Sequence, residues 1–322
     1  MSCRVVLSTV VFALLGLAAV ARAGKPSVAS VVAELNRRAA APAVEAPAED
    51  GSTLSALSER AAWTVPNPLA TRGGCAIDVA VLGAAASNQV DDVVGHLSGD
   101  PRIASVTGVV ITAVTPSLAE LHAFDAVLVF TNSTPQNNVT LGDNLANYVD
   151  GGGGVVLTMF AIRASLNTRT IEGRFLTDNY YCIERSVGTS TTGAATLGTI
   201  HVPASPLLAG VATFDGGSSS FRTPAAPHPS ATRIADWSTG QALVAERTDL
   251  SGGRVDLGFF AVSQQQVAGG WLVTTDGAEL LRNAVVAASG CEPGCVGDLD
   301  GDGDVDLTDL AIMLSNFGSS CP

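Results

Sequence analysis

The sequence predicts an α/β protein built on a parallel sheet, and a small acidic module at its C-terminal end. Three observations carry this. Apolar runs of strand length recur at Ile77 to Leu82, Val109 to Val114, Ala126 to Phe130 and Val155 to Phe160. Segments with helical spacing lie between them. Runs that stay apolar throughout, instead of alternating, belong to strands buried on both faces by helices. The third observation is the stretch Asp298 to Asp309, whose carboxylates follow a fixed spacing of their own.

Taken in order, Met1 to Ala23 has an early basic residue, Arg4, an apolar run from Val5 to Val20, and the small-x-small site Ala21-Arg22-Ala23. It reads as a secretory signal peptide, too short and wrongly flanked for a membrane span. No later apolar run is long enough to cross a bilayer. Residues 24–74 are rich in Ala, Pro, Ser and Glu and read as a leader or tether; Val28, Val31, Val32 and Leu35 predict a short amphipathic helix within it. The main domain spans 75–290. Its first helix is expected to be capped by Asn88 with Asp91 and to bury Val90, Val93, Val94 and Leu97. A second helix is expected over Asn138 to Tyr148, followed by Gly151 to Gly154 as its cap and turn. The later half reads as strand-rich, at Ile200 to Val202, Ala242 to Ala245 and Val255 to Phe260. A last helix with Leu280, Leu281, Ala284 and Val285 is capped by Asp276 with Glu279. Residues 291–322 form the tail.

The chain of 322 residues carries a formal charge of −13. Loss of the leader, which holds two arginines and no acid, takes it to −15. Such a protein does not bind nucleic acid by phosphate neutralisation. Five cysteines remain beyond the leader: Cys75, Cys182, Cys291, Cys295 and Cys321. In an oxidising compartment they pair. A bond from Cys291 or Cys295 to Cys321 would close the tail, worth roughly 3 kcal/mol by loop-closure entropy. Cys75 with Cys182 is the next candidate, and one thiol is left over.

Within DLDGDGDVDLTD, Asp298, Asp300, Asp302, Asp304, Asp306 and Asp309 stand at loop positions 1, 3, 5, 7, 9 and 12, with Gly303 at the sharp turn and Val305 directed inward. A hard cation needs about six to eight oxygen ligands, and this spacing supplies them for Ca2+, Asp304 through its backbone carbonyl. The bland alternative is a solvated acidic tail. GDLDGDGDVDLTDLAIMLSNFG resembles one repeat of a type I dockerin, an EF-hand-like calcium module ending its loop in Asp. The resemblance implies a following helix whose stripe of Leu307, Leu310, Met313, Leu314 and Phe317 packs on the loop. It also implies docking on a cohesin-like partner through Leu307 and Thr308. Dockerins carry two such repeats, and this chain has one.

FDAVLVFTNSTP, NLANYVDGGGGVVLTMF and DGAELLRNAVVAAS, in that order, resemble the class I glutamine amidotransferase-like fold, in its secreted branch without a nucleophile. The resemblance implies a flavodoxin-like parallel sheet. Catalytic members keep a cysteine just after the strand that here ends TMFA, where this chain has Met159, Phe160 and Ala161.

Other chemistry is sparse. Gly151 to Gly154 has the wrong order for a phosphate cradle, and Gly83 to Asn88 has the right order but neither the remaining glycines nor a lysine. Cys182 with His201 is a remote nucleophile–base pair. Asn132 and Asn138 head Asn-x-Ser/Thr sequences, relevant only where the source glycosylates. Ligands of open α/β sheets sit beyond the carboxyl ends of the strands, which singles out Asn132, Ser133 and Arg163. Three functions follow: a secreted binding or assembly protein with a calcium-stabilised tail, a secreted carbohydrate-active hydrolase with a dockerin-like module, or a cell-surface structural protein. The expected partners are a cohesin-like or cell-surface protein and a polysaccharide. A carboxylate-lined pocket would favour the hydrolase, and a flat carboxyl edge the other two.

Overall fold

Backbone pairing sets the architecture of the structure, a computed structural model that describes residues 27–40, 76–291, 307–315 and 317. In chain order the elements are α1 (Val28–Ala40), β1 (Ile77–Ala84), α2 (Ser87–Leu97), β2 (Ile103–Val110), α3 (Leu118–Leu121), β3 (Ala126–Thr131), α4 (Asn138–Asp150), β4 (Gly154–Thr158), α5 (Met159–Ile162), β5 (Arg163–Ala164), α6 (Gly173–Thr177), β6 (Ser186–Val187), β7 (Leu197–Ile200), β8 (Thr232–Trp237), β9 (Ala242–Arg247), β10 (Arg254–Leu257), α7 (Gly277–Ala288) and α8 (Leu307–Ser315). One sheet runs β2-β1-β3-β4-β10-β9-β8-β7, and β5 pairs with β6 separately. The first five of these strands are parallel. Counting β10 as the fifth, their order is 2-1-3-4-5, that of the flavodoxin-like doubly wound fold.

The parallel sheet is continued by β9, β8 and β7, which are antiparallel. For the β8–β9 and β9–β10 pairs the reason is loop length. A parallel return needs a crossover of about a dozen residues or more. The links 238–241 and 248–253 are far shorter, and Gly240, at φ 86°, makes the first of them a tight turn.

Side-chain alternation divides the core. Val79, Val81, Leu128, Phe130 and Val156 join one cluster with the buried faces of α2 and α7. Their sequence neighbours Ala80, Leu82, Val127, Val129, Val155 and Leu157 join the other, with α1 and α4. Successive strand residues point to opposite faces, so both sides of the sheet need apolar residues.

Several local expectations shift. The second strand begins at Ile103, not Val109, because an edge strand paired only to β1 tolerates exposed positions such as Ala104. Ile111 and Val114 instead bury themselves in the turn that follows. Asn88 does not cap α2; the N-cap is Ala86, without a side-chain bond, and the Asn88 amide donates to Gln266 Oε1 at 3.0 Å. Asp276 holds the N-cap position of α7, yet its carboxylate turns outward to accept from Ala212 N and Thr213 N at 2.9 and 2.7 Å. Gly151 to Gly154 is the expected cap and turn: Gly151 is the C-cap of α4, Gly152 takes φ 91°, and Gly154 opens β4. Cys182 is a buried free thiol, which removes the Cys75–Cys182 pairing; its Sγ donates to Arg254 O at 3.3 Å. The partners considered for Cys291 lie outside the described residues.

One buried network stands where the sheet changes direction. On β10, Arg254 and Asp256 point to the same face and pair at 2.6 Å, neither side chain exposed. Asp256 Oδ2 accepts the N–H groups of Cys182 and Ile183 at 2.7 and 2.8 Å. Arg254 donates to Tyr180 O at 2.9 Å and to Val155 O on β4, and stacks over Phe175 at 4.8 Å. Burial pushes the Asp256 carboxyl up, against the pull of Arg254 and the two N–H donors.

The amphipathic helix read in the leader exists as α1 and rests on the domain. Val31, Leu35 and Arg38 share one face. The first two are buried, and Arg38 donates to Glu120 Oε2 at 2.5 Å and Thr115 O at 2.7 Å. Glu120 also forms a capping box with Ser117 at the start of α3. Burial raises the Glu120 pKa, but the bonds from Ser117 and Arg38 outweigh it and leave it below the usual 4.5. A depressed carboxyl contributes stability that is complete above the unfolded pKa and is lost as pH falls through the folded one. Proteolysis within 28–40 is therefore expected to accelerate on acidification below about pH 4. Glu120→Gln should remove that pH dependence; equal cleavage rates of wild type at neutral and acid pH would contradict the arrangement.

Candidate functional site

The carboxyl ends of β1, β3 and β4 meet at one edge, where the topology directs any ligand. The chain leaving β3 folds across the end of β1: Asn132 N and Ser133 N both donate to Ala84 O, at 2.8 and 2.7 Å. This fixes the Asn132 side chain between two elements. Its amide donates to Gln89 Oε1, in the first turn of α2, at 3.0 Å. Its Oδ1 accepts from Arg169 at 3.1 Å, and the same guanidinium nitrogen bonds Asn132 O. Arg169 stacks over Phe160 at 5.4 Å, and Phe160 packs on Phe221 and Phe260 at 4.8 and 5.1 Å. An aromatic floor thus supports a polar rim.

Of the three residues expected here, Asn132 is central. Ser133 is exposed, and its hydroxyl makes no hydrogen bond among the described residues. Arg163 does not join them: it donates to Ser186 Oγ and Thr189 O, at 2.7 and 2.9 Å, and fastens β5 to β6. Its place at the end of β4 marked it as an edge residue, but α5 intervenes and turns the chain aside. Arg169 was missed, because nothing in NTRT separates it from an ordinary surface arginine.

The turn after β4 has no reactive group. Met159 is fully buried there, and its N–H donates to Phe259 O at 3.0 Å. Two other groupings among the described residues do not form a relay. Cys182 is enclosed, and burial drives its thiol well up, while His201 bonds Asp236 at 2.9 Å; the suggested pair is not together. Ser263, Asp92 and His96 are close, but the carboxylate stands between the other two, accepting from Ser263 N and Oγ at 2.8 and 3.0 Å and lying 3.5 Å from His96 Nε2. A histidine so placed cannot take the serine proton.

A void of about 10 Å³ beside Phe221, Phe260 and Trp271 holds roughly one water. A larger groove, about 760 Å³, lies elsewhere, between α1 and the free side of β2, bordered by Val28, Val32, Asn36, Ile103 and Val106. Among the described residues no cluster of three or more His, Cys, Asp or Glu could hold a metal, and no helix is long and apolar enough to cross a membrane. Asp298, Asp300, Asp302, Asp304 and Asp306 lie outside the described residues, and Asp309 is described only as a position in α8. The apolar stripe beyond it is exposed, at 47% for Leu310, 58% for Met313 and 62% for Leu314, instead of packed as expected.

No family model and no curated protein matches the chain. Among solved structures, a ThuA-like protein from Bacteroides uniformis is 12% identical, with a TM-score of 0.49 over 68% of this chain and 93% of its own. A cytoplasmic protein from Salmonella typhimurium is 11% identical, with a TM-score of 0.46 over 64% and 97%. A ThuA-like protein from Parabacteroides merdae is 13% identical, with a TM-score of 0.45 over 67% and 91%. At these identities a likeness concerns the fold alone, and the strand order already defines the fold.

The enclosure of Cys182 is directly measurable. The native protein should leave this thiol unreactive toward a disulfide reagent, and denaturation should release it, with Cys182→Ala abolishing that increment. Rapid labelling of Cys182 in the native state would contradict its burial.

Proposed function

We propose that the protein is a secreted, non-catalytic binding or assembly protein whose C-terminal segment is a calcium-stabilised, dockerin-like module. The observation that carries this reading is the carboxyl edge of the sheet. It is rimmed by amides and one guanidinium, with Met159 buried where an amidotransferase-like enzyme would place its nucleophile. Covalent catalysis needs a nucleophile with a base in reach; an open polar edge needs only donors and acceptors. The leader sequence of 1–23 supports an extracytoplasmic location. For the tail, the support is the aspartate spacing, together with the apolar surface that α8 leaves uncovered. Such a surface suits contact with a partner of the cohesin-like or cell-surface kind.

Within the loop, Asp298, Asp300, Asp302, Asp306 and Asp309 would supply side-chain oxygens and Asp304 a carbonyl. Without a cation five carboxylates repel, so binding energy would emerge as folding energy of the tail. Calorimetry on the mature chain is expected to show calcium binding with a Kd of about 10⁻³ M or tighter, lost in the Asp298→Ala/Asp309→Ala variant. Absence of binding at millimolar calcium would refute the module. Hydrolysis of glutamine by the mature protein would refute the non-catalytic reading.

A further inference from the structure

We infer that β2, the free edge of the sheet, is the surface through which two copies of this chain join, their β2 strands pairing antiparallel about a twofold axis at Val106. The interface lies apart from the carboxyl edge and the tail and depends on neither.

The two ends of the sheet are treated differently. Natural proteins shorten an edge strand, break its pairing or place a charge on it, because its unpaired N–H and C=O groups template another strand. At one end β7 has four residues and a register shift within them. At the other, β2 has eight residues, IASVTGVV, without a charge or a proline. From Ser105 to Val110 it pairs with β1 in unbroken register, and among the described residues it has no neighbour on its other side. Ile111 N donates inward to Gly83 O. By alternation, Val106, Gly108 and Val110 direct their N–H and C=O groups outward.

The space beside this edge is uncharged as well. The groove of about 760 Å³ lies between residues 103–107 and α1. On that helix Val31 and Leu35 turn to the core, and Val28, Val32 and Asn36 to the groove. Glu34 and Arg37 occupy the remaining side, where they pair with each other. The one charge bordering the groove among the described residues, Asp78, accepts from Ser105 Oγ at 2.5 Å.

The sequence of the strand selects the occupant. Around Val106, positions at equal distance carry like side chains: Ser105 and Thr107, Ala104 and Gly108, Ile103 and Val109. In an antiparallel pair centred there, Val106 faces its own copy, hydroxyl faces hydroxyl, small residue faces small, and branched apolar residue faces its like. Such cross-strand pairs are favourable, whereas like charges directly opposite are not. The outward groups of Val106 then form the reciprocal pair of N–H···O bonds that a twofold axis requires. A chain of charge −13 repels its copy, and an uncharged edge is where two can approach. The same axis keeps both α1 helices on one side of the joined sheet, their uncharged faces toward each other.

Sedimentation equilibrium and hydrogen exchange on the mature chain test this. The wild type is expected at twice the chain mass, with the Val106 and Gly108 amides protected. Val106→Lys sets two like charges on the axis and should leave a monomer, whose melting curve establishes that it folds. Val106→Cys meets its own copy at the roughly 5.5 Å Cα separation of a hydrogen-bonded pair, within disulfide reach. Mild oxidation should therefore link two of its chains, against the unsubstituted chain as background. Ala104→Cys, which faces Gly108 across the axis, should not link. The cysteine pair decides alone if Val106→Lys does not fold. A wild type that stays monomeric up to about 0.1 mM, or a dimer that persists unchanged in folded Val106→Lys, would overturn the interface. Equal linking by Ala104→Cys and Val106→Cys would overturn the pairing about Val106. A monomer whose Val106 and Gly108 amides are nonetheless protected would give the groove to another part of this chain, and would equally overturn pairing between copies.

Discussion

The Arg254–Asp256 pair is the interaction on which the rest of the fold depends. It sits on β10, the strand that pairs parallel with β4 and antiparallel with β9. It also joins both to the segment 180–183, which belongs to neither half of the sheet. A buried ion pair on its own adds little net stability, because desolvation offsets attraction. Here the charges also satisfy backbone groups. Two N–H donors end on Asp256 and three carbonyls accept from Arg254, so the network replaces the strand ladder that this irregular segment lacks. Tyr181, bonded through its hydroxyl to Ile171 O at 2.5 Å, extends the same anchorage toward α6.

That anchorage reaches the carboxyl edge through β10. The chain leaving Leu257 carries Phe260 into the aromatic floor, then Ser263 to the Asp92 carboxylate on α2, then Gln266 to Asn88. On the other side, β3 delivers Asn132 to Gln89 and Arg169. Helix α2 is therefore gripped from both sides, with its uncapped end held facing the rim. A polar surface held at several points results. Pre-set donors cost little to order on binding.

How much of this the sequence discloses depends on how local the determining physics is. The strands β1, β3 and β4 were legible because burial on both faces leaves continuous apolar runs. The edge strand β2 was misplaced because half of it faces outward. The antiparallel half was legible as strands but not in direction, which follows from short links whose role emerges only once the strands are placed. Asn132 follows a buried strand directly, and the fold keeps it at the carboxyl edge. The same rule points to Arg163, but the short helix α5 redirects the chain and sets it against Ser186 and Thr189. Arg254 and Asp256 read as the polar side of an alternating strand, RVDL, while in space both faces of that strand are covered. Arg169 could not be singled out from sequence, because only the fold brings it to Asn132 and Phe160.

Unfolding by urea of variants at the buried pair tests the central claim, that satisfaction of backbone groups makes this pair necessary. Asp256→Ala is expected to lose about 3–5 kcal/mol, the cost of stranding a buried charge. The double variant Arg254→Leu/Asp256→Leu has no stranded charge, yet it leaves the N–H groups of Cys182 and Ile183 without acceptors, so it should remain about 2 kcal/mol or more below wild type. Recovery of wild-type stability in the double variant would contradict the account and reduce the network to a replaceable ion pair.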